Sequence, residues 1–124
     1  MALMFLSGDG MRGGAAHRHI AGSALIGEPR TAPRYRFYSI RDEFPGLYPV
    51  GAAGQAVLGE LYEVPMTKLR ALLASEPAEL ELSIVELEAG RLAFGMVLRR
   101  AEHDRGVHAD ITRFGGWRAY RSAR

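Results

Sequence analysis

Four of the nine residues in the stretch LSGDGMRGG, residues 6–14, are glycine, and the apolar run MALMFL leads straight into them. Glycine loses more backbone freedom on folding than any other residue, so this density needs a reason in close approach, unusual φ or exposed main-chain amides. A short buried strand that ends in a loop is the expectation for the N-terminus. A phosphate loop of the G-x-x-x-x-G-K-[ST] kind is excluded, because no lysine followed by serine or threonine comes after these glycines. Gly8, Gly10 and Gly13 do match G-x-G-x-x-G, with Glu28 in range as the acid. However, Gly22 and a strand-like segment at 23–32 interrupt the helix that a dinucleotide fold requires. Two readings stay open: a plain chain reversal, or a nest of successive N–H groups aimed at an anion.

The rest of the chain reads mostly as strand. Residues 15–20 form one or two helical turns, and 23–32 and 34–40 are strands parted by Pro33. In the second strand Tyr35, Phe37 and Ser39 face one way and Arg36, Tyr38 and Ile40 the other. DEFPGLYPVGAAG, 42–54, has two prolines and three glycines and reads as a loop. QAVLGELYEV, 55–64, resumes as a strand, with Gly59 marking a bulge or a close approach. Pro65 suits a helix start, and Met66, Leu69, Leu72 and Leu73 make an apolar stripe behind it. LELSIVELE, the turn Glu88-Ala89-Gly90-Arg91 and LAFGMVLR together predict a hairpin. The tail predicts a short helix capped by Asp110 or Thr112, with Phe114, Trp117 and Tyr120 as a hydrophobic plug. The expected fold is therefore α+β: a small mixed β-barrel with one main helix packed on it, formed by residues 1–124 as one domain.

Composition narrows the function classes. Cysteine is absent, which excludes disulfides, thiolate catalysis and cysteine-ligated zinc. No run approaches the roughly 18 apolar residues of a membrane span, and the first apolar stretch lacks the form of a secretion signal. A cytoplasmic protein without membrane contact is the expectation. Charge is segregated: residues 1–41 carry six Arg against two acids, residues 42–98 three basic residues against nine acids, and residues 99–124 seven Arg against three acids. Both ends should attract the middle. Arg forks suit carboxylates, and with RYRFYSIR the only aromatic and basic interleaving, a nucleic-acid partner is not expected. His17, His19, His103 and His108 are expected at the surface or in turns, so no metal or cofactor is assigned.

Several segments together resemble a known family. FLSGDGM after the first strand is similar to the F-x-Y-G-S-x-M loop of the γ-glutamylcyclotransferase-like, or AIG2-like, superfamily. ELYEVP with the helix behind it is similar to that family's G-x-[LV]-[YW]-x-[LV] strand and helix. RTAPRYRFYSI, VELEAG and above all ADITRFGGWRAY resemble segments of the allophanate hydrolase C-terminal domain, in order and over nearly the whole chain.

The resemblance implies a γ-glutamylcyclotransferase-like barrel with a pocket at the end of the first strand. It also implies a loop of Ser7, Gly8, Asp9, Gly10 and Met11 that holds a small ligand through its amides. A glutamate just after the helix moves a proton in the cyclotransferases, and Glu76 stands there, with Glu79 and Glu81 close by; Glu76 and Glu81 are the catalytic candidates. The bland alternative is that these are solvated acids. Arg36, with Tyr38 on the same strand face, is the candidate to hold a ligand carboxylate, against the alternative of pairing with an acid of the middle segment. The loop departs from both families: Ser7 stands where cyclotransferases have Tyr, Asp9 where they have Ser or Thr, and Gly10 where allophanate hydrolases have His. Asp9, His17 and His19 are the nearby substitutes. Three functions follow as expectations. The first is a stand-alone relative of the allophanate hydrolase domain that binds a small carboxylate or carbamate and serves urea-related nitrogen metabolism. The others are a γ-glutamyl cyclotransferase releasing 5-oxoproline, and a non-catalytic module that docks on an amidase or on a second copy of itself.

Overall fold

In the computed structural model, which describes residues 1–124, apolar runs and turn residues alternate to build eight strands and three helices. In chain order these are β1 (Ala2–Leu6), β2 (Ala24–Gly27), β3 (Tyr35–Ile40), β4 (Phe44–Pro49), β5 (Glu60–Val64), α1 (Met66–Ser75), β6 (Leu80–Glu86), β7 (Leu92–Leu98), α2 (Arg100–Asp104), β8 (Ala109–Asp110) and α3 (Trp117–Ser122). The strands pair in the order β2-β5-β1-β7-β4-β3-β8, and β6 joins the far side of β7 as a hairpin partner. Strand β1 runs antiparallel to β5 and parallel to β7. The α+β class and the single main helix are as the sequence predicts. The hydrogen-bonded path, however, stays open between β2 and β8 instead of closing. Neither terminal strand can continue the ladder: β2 is bulged between Leu25 and Gly27, and β8 has only two residues.

The core follows the expected periodicities. Tyr35, Phe37 and Ser39 are buried along β3, while Arg36 and Tyr38 on the other face are partly exposed. Leu69 and Leu72 carry the buried stripe of α1, and Met66 stands out in solvent at the first turn. Gly59 is a close approach: a Cβ there would overlap the Phe5 ring and the Leu6 carbonyl. Trp117 is buried in the main core, with Phe114 and Tyr120 packed against it, so the aromatic plug forms as expected.

Strands are shorter than read at two places, β2 ending at Gly27 and β5 beginning at Glu60, and α3 starts at Trp117 with no side-chain cap, Asp110 instead accepting from Thr112 N–H. Two further segments differ in kind. FPGLYP, which reads as loop, is strand β4, paired with β3 over its full length. Val50 just beyond it donates to the Arg34 carbonyl at 2.9 Å, so even-numbered residues turn their N–H groups toward β3. Pro45 and Pro49 therefore direct their donorless nitrogens toward β7, which meets β4 only at Leu47 and so asks nothing of them. The β3–β4 connection puts Arg41 at φ 54° and Asp42 at φ 58°, the left-handed pair that a type I′ hairpin needs. The other departure is α2, where the sequence predicts a polar turn around His103. The His103 ring stacks on Tyr48 with centroids 3.8 Å apart, and His108 is nearly buried against Glu102 at 2.9 Å.

Candidate functional site

Strand β1 delivers the glycine loop to the wall of a cavity of about 440 Å³. Its lining comes from Ser7–Gly10, the end of α1 at Ser75–Pro77, the β3–β4 turn around Arg41, and the side chains of Leu80 and Met96. Two of the four glycines are sterically required, and Gly13 is needed for its φ of 91°. A Cβ on Gly8 would overlap Pro45, and one on Gly14 would overlap the Asp9 carbonyl. The loop closes as a turn and leaves main-chain donors unpaired. Met11 N–H donates to the Gly8 carbonyl at 3.1 Å and closes a tight reversal, whereas the N–H groups of Ser7, Gly8, Asp9 and Gly10 donate to no acceptor in the chain. Asp9 does not compete for them, because its carboxylate accepts from Ala15 N–H at 3.2 Å and its carbonyl from Ala16 N–H at 3.1 Å. His17 Nδ1–H donates to the Gly10 carbonyl at 2.9 Å and braces the loop from behind.

Across this cavity stands Glu76, the first residue after α1. Its carboxyl makes no hydrogen bond or ion pair within the chain. Burial first, and the Asp9 charge second, push its pKa up to about 7. Carboxylates of Asp9, Glu43 and Glu76 share the cavity with the Arg41 guanidinium. Arg41 is already engaged, at 2.6 Å from Glu79 and 3.2 Å from Glu43, and its hydrogen bond holds Glu79 below the ordinary carboxylate range. The result is a site with free amide donors on one side and a carboxyl near half-protonation on the other.

Behind the loop lies a group that the strand reading of 55–64 does not single out. The Glu60 side chain is 0% exposed, yet it is ionised. It accepts from Arg12 N–H at 2.8 Å, Arg12 Nε at 3.0 Å, Arg118 Nη2 at 3.0 Å and Tyr62 Oη at 2.8 Å. Burial works against its charge, and these four donors outweigh it, drawing the pKa down to about 2. Arg118 also reaches the Arg12 carbonyl at 2.8 Å. The glycine loop, β5 and the start of α3 are thus pinned to one carboxylate. The signal for it in the sequence is an acid at the start of a buried strand in a chain with arginines clustered at both ends.

The family model of the allophanate hydrolase C-terminal domain matches residues 2–122. The chain belongs to this family. A crystal structure of a uropathogenic E. coli-specific protein is 32% identical, with a TM-score of 0.89, and the match covers 98% of this chain and 95% of that one. A Mus musculus AIG2-like protein is 25% identical with a TM-score of 0.64, over 82% of this chain and 78% of that one, which bears out the expected superfamily fold. Urea amidolyase of Saccharomyces cerevisiae is 27% identical over 96 residues; these are 73% of this chain and 5% of that protein.

Within this allophanate hydrolase C-terminal domain, the residues singled out from sequence separate into two groups. Ser7, Gly8, Asp9, Gly10 and Glu76 come together around the cavity. Met11 turns into the core, at 4% exposure. Arg36 and Tyr38 lie on the face of β3 that alternation directs away from the core, and neither lines the cavity. Arg36 pairs with Asp110 at 2.9 Å, an acid of the C-terminal segment, and Tyr38 Oη meets His103 Nε2 at 3.3 Å. Glu81 points outward from β6 to Arg99, 2.9 Å away. Arg41, which the sequence does not nominate, takes the place at the cavity that Arg36 is expected to hold. No helix is long and apolar enough to cross a membrane.

Proposed function

We propose that this domain binds a small molecule carrying a carboxylate, carbamate or amide group in the cavity beside β1, with the amides of Ser7–Gly10 receiving its oxygens and Glu76 exchanging a proton with it. One observation carries the reading: four unpartnered amides and a carboxyl with pKa about 7 line the same cavity. A carboxyl titrating near the working pH is suited to general acid–base work. The surrounding acids sharpen the expectation, since an anion is repelled less when Glu76 holds its proton. Affinity should therefore fall as pH rises through 7. A thermal-shift panel of short dicarboxylates, N-acyl amino acids and γ-glutamyl dipeptides at pH 6 and pH 8 tests this. Stabilisation should be larger at pH 6, and Glu76→Gln should remove the pH dependence; Gly8→Ala, which drives a methyl into Pro45, should weaken binding at both. A panel without any shift at pH 6 overturns the reading.

A second reading rests on Glu76 itself. Its place directly after α1 suits a γ-glutamyl cyclotransferase, in which the substrate's α-amine attacks its γ-carbonyl, the amide C–N bond breaks, and the carboxyl carries the proton from attacking to leaving nitrogen. Release of 5-oxoproline from γ-glutamyl dipeptides, abolished in Glu76→Gln, would select it. The small share of the yeast urea amidolyase that this chain matches supports a third role, as a module beside an amidase. Recovery of a stable amidase complex without added ligand would favour that role.

A further inference from the structure

Helix α3 contributes no residue to the cavity lining, yet it is bonded to both of the walls that carry the cavity's polar groups. One wall is the glycine loop. The reversal that Met11 N–H closes on the Gly8 carbonyl runs directly into Arg12, and both main-chain groups of Arg12 are held from outside the loop. Its N–H donates to Glu60 at 2.8 Å, and its carbonyl accepts from Arg118 Nη2 at 2.8 Å. The same Arg118 nitrogen donates to Glu60 at 3.0 Å, so α3 also steadies the acceptor. The other wall is the β3–β4 turn, where Arg41 and Glu43 line the cavity and Asp42 between them reaches α3. The Asp42 carboxylate accepts from Tyr120 Oη at 2.6 Å and pairs with Arg124, just past the helix, at 3.2 Å; its carbonyl accepts from Arg121 Nη1 at 3.4 Å. Packing contributes little on the loop side. A second cavity of about 450 Å³ separates the loop from α3, lined by Gly8, Asp9, Arg12, Trp117, Arg118 and Arg121 among others. The loop therefore meets α3 through directed bonds at Arg12. Such bonds add modest net stability, and their main consequence is where they place the chain.

We propose that α3 is a strap across the site and that Arg118 is its positioning residue, which sets how far the amides of Ser7–Gly10 stand from Glu76 and from the Arg41–Glu43 turn. The inference rests on the reading of this cavity as the binding site and adds what holds it in shape. Arg118 touches nothing in the cavity. It acts through Arg12, whose displacement would carry the Gly8–Met11 reversal with it. The charged groups that share the cavity with Glu76 are Asp9 on the loop and Arg41 and Glu43 on the turn. None belongs to α3, and α3 governs the placement of all three. Freed at Arg118, the loop moves off the turn and water reaches the Glu76 carboxyl. That change removes burial, the larger of the two influences that keep this carboxyl neutral, and weakens the smaller one, the Asp9 charge. Tyr120 holds the opposite wall in the same way, so its loss acts in the same direction.

Glu76 reports on the strap without any ligand. A carbon-13 NMR titration of its side-chain carboxyl should give a midpoint of about 7 in the parent. In Arg118→Met the midpoint should fall by about one pH unit or more. Amide exchange at Gly8, Asp9 and Gly10 should quicken about tenfold or more, while amides of the β6–β7 ladder keep the parent rates. Arg118→Lys, which returns a donor beside Glu60, should restore part of both. Leu87→Ala truncates the core at the end of the hairpin opposite the cavity-lining Leu80; it lowers stability and should leave the Glu76 midpoint where it is. Should Arg118→Met not fold, Tyr120→Phe loosens the strap at its other wall by one hydrogen bond and should lower the midpoint in the same direction. The thermal-shift panel of dicarboxylates, N-acyl amino acids and γ-glutamyl dipeptides separates the strap from the binding reading. A panel silent in the parent overturns that reading alone, because the midpoint is read without ligand. A Glu76 midpoint and loop exchange that stay unchanged in Arg118→Met and Tyr120→Phe, or a fall that Leu87→Ala matches, overturns the strap.

Discussion

Two carboxyl groups of the same type are driven in opposite directions by what surrounds them. Glu60 is fully buried among four donors and stays charged; Glu76 is partly buried with no donor and an acid for a neighbour, and it holds its proton to about pH 7. For Glu76 the folded chain binds a proton between pH 4.5 and about 7 that the unfolded chain has released. Stability therefore falls as pH rises through that window and stays lowered above it. Glu76→Gln should be more stable than the parent at pH 8, by on the order of 1–2 kcal/mol once solvent screening is allowed for, and so melt at a higher temperature there, and no more stable at pH 4.5. Equal melting temperatures at pH 8 would show that the carboxyl is not held protonated. The candidate position of Glu76 was legible in the sequence as the residue after a helix. Its unpaired state was not, because that depends on Asp9, brought beside it only by folding.

At the scale of elements, local pattern was a good guide where one element settles its own burial. The α1 stripe, the β6–β7 hairpin and the alternation of β3 all follow from periods of 3.6 and 2. It misled at β4, where two prolines argued for a loop. Their tolerance depends on which side of the strand has a full partner, a fact about the sheet and not about the segment. The adjoining β3–β4 turn shows the same dependence. Arg41 and Asp42 adopt left-handed backbone without glycine, and α3 with the residues after it holds them there: Tyr120 Oη donates to Asp42 Oδ1 at 2.6 Å and Arg124 pairs with the same carboxylate at 3.2 Å. Tyr120→Phe should lower the urea midpoint without changing the slope of the transition. It should also speed amide exchange at Glu43, whose N–H closes the turn onto the Ile40 carbonyl at 3.0 Å, while β5 amides keep their protection. Unchanged exchange at Glu43 would mean that the turn needs no support from α3.

For the whole molecule, the segregated charge resolves into ion pairs that tie both ends to the middle: Arg12 and Arg118 to Glu60, Arg34 to Glu86, Arg41 to Glu79, Arg99 to Glu81 and Arg124 to Asp42. Most of these are exposed and add little each. Glu60 is the exception. Its pKa is depressed in the folded chain, so its contribution is complete above pH 4.5 and is lost as pH falls toward 2, amounting to about 3 kcal/mol. Denaturation at pH 7, 4 and 3 should show the parent weakening steeply over the lower range. Glu60→Gln should be destabilised at pH 7 and should lack much of that acid slope. An unaltered slope would assign acid sensitivity to other groups.

Composition, periodicity and turn residues, acting over a few neighbours at a time, determined by themselves the strand that ends in a glycine loop, the one long helix, the hairpin, the aromatic plug and the attraction between the ends and the middle. Tertiary structure alone decided that the sheet stays open, that a proline-bearing segment becomes β4, that Arg41 and not Arg36 reaches the cavity, and that Glu60 is fully charged near pH 7 while Glu76 is only half so. The reason is one of range. Burial patterns are written every two or four residues, whereas the field on a carboxylate is set by groups such as Arg12 and Arg118, 48 and 58 residues away along the chain and 3.0 Å away in space.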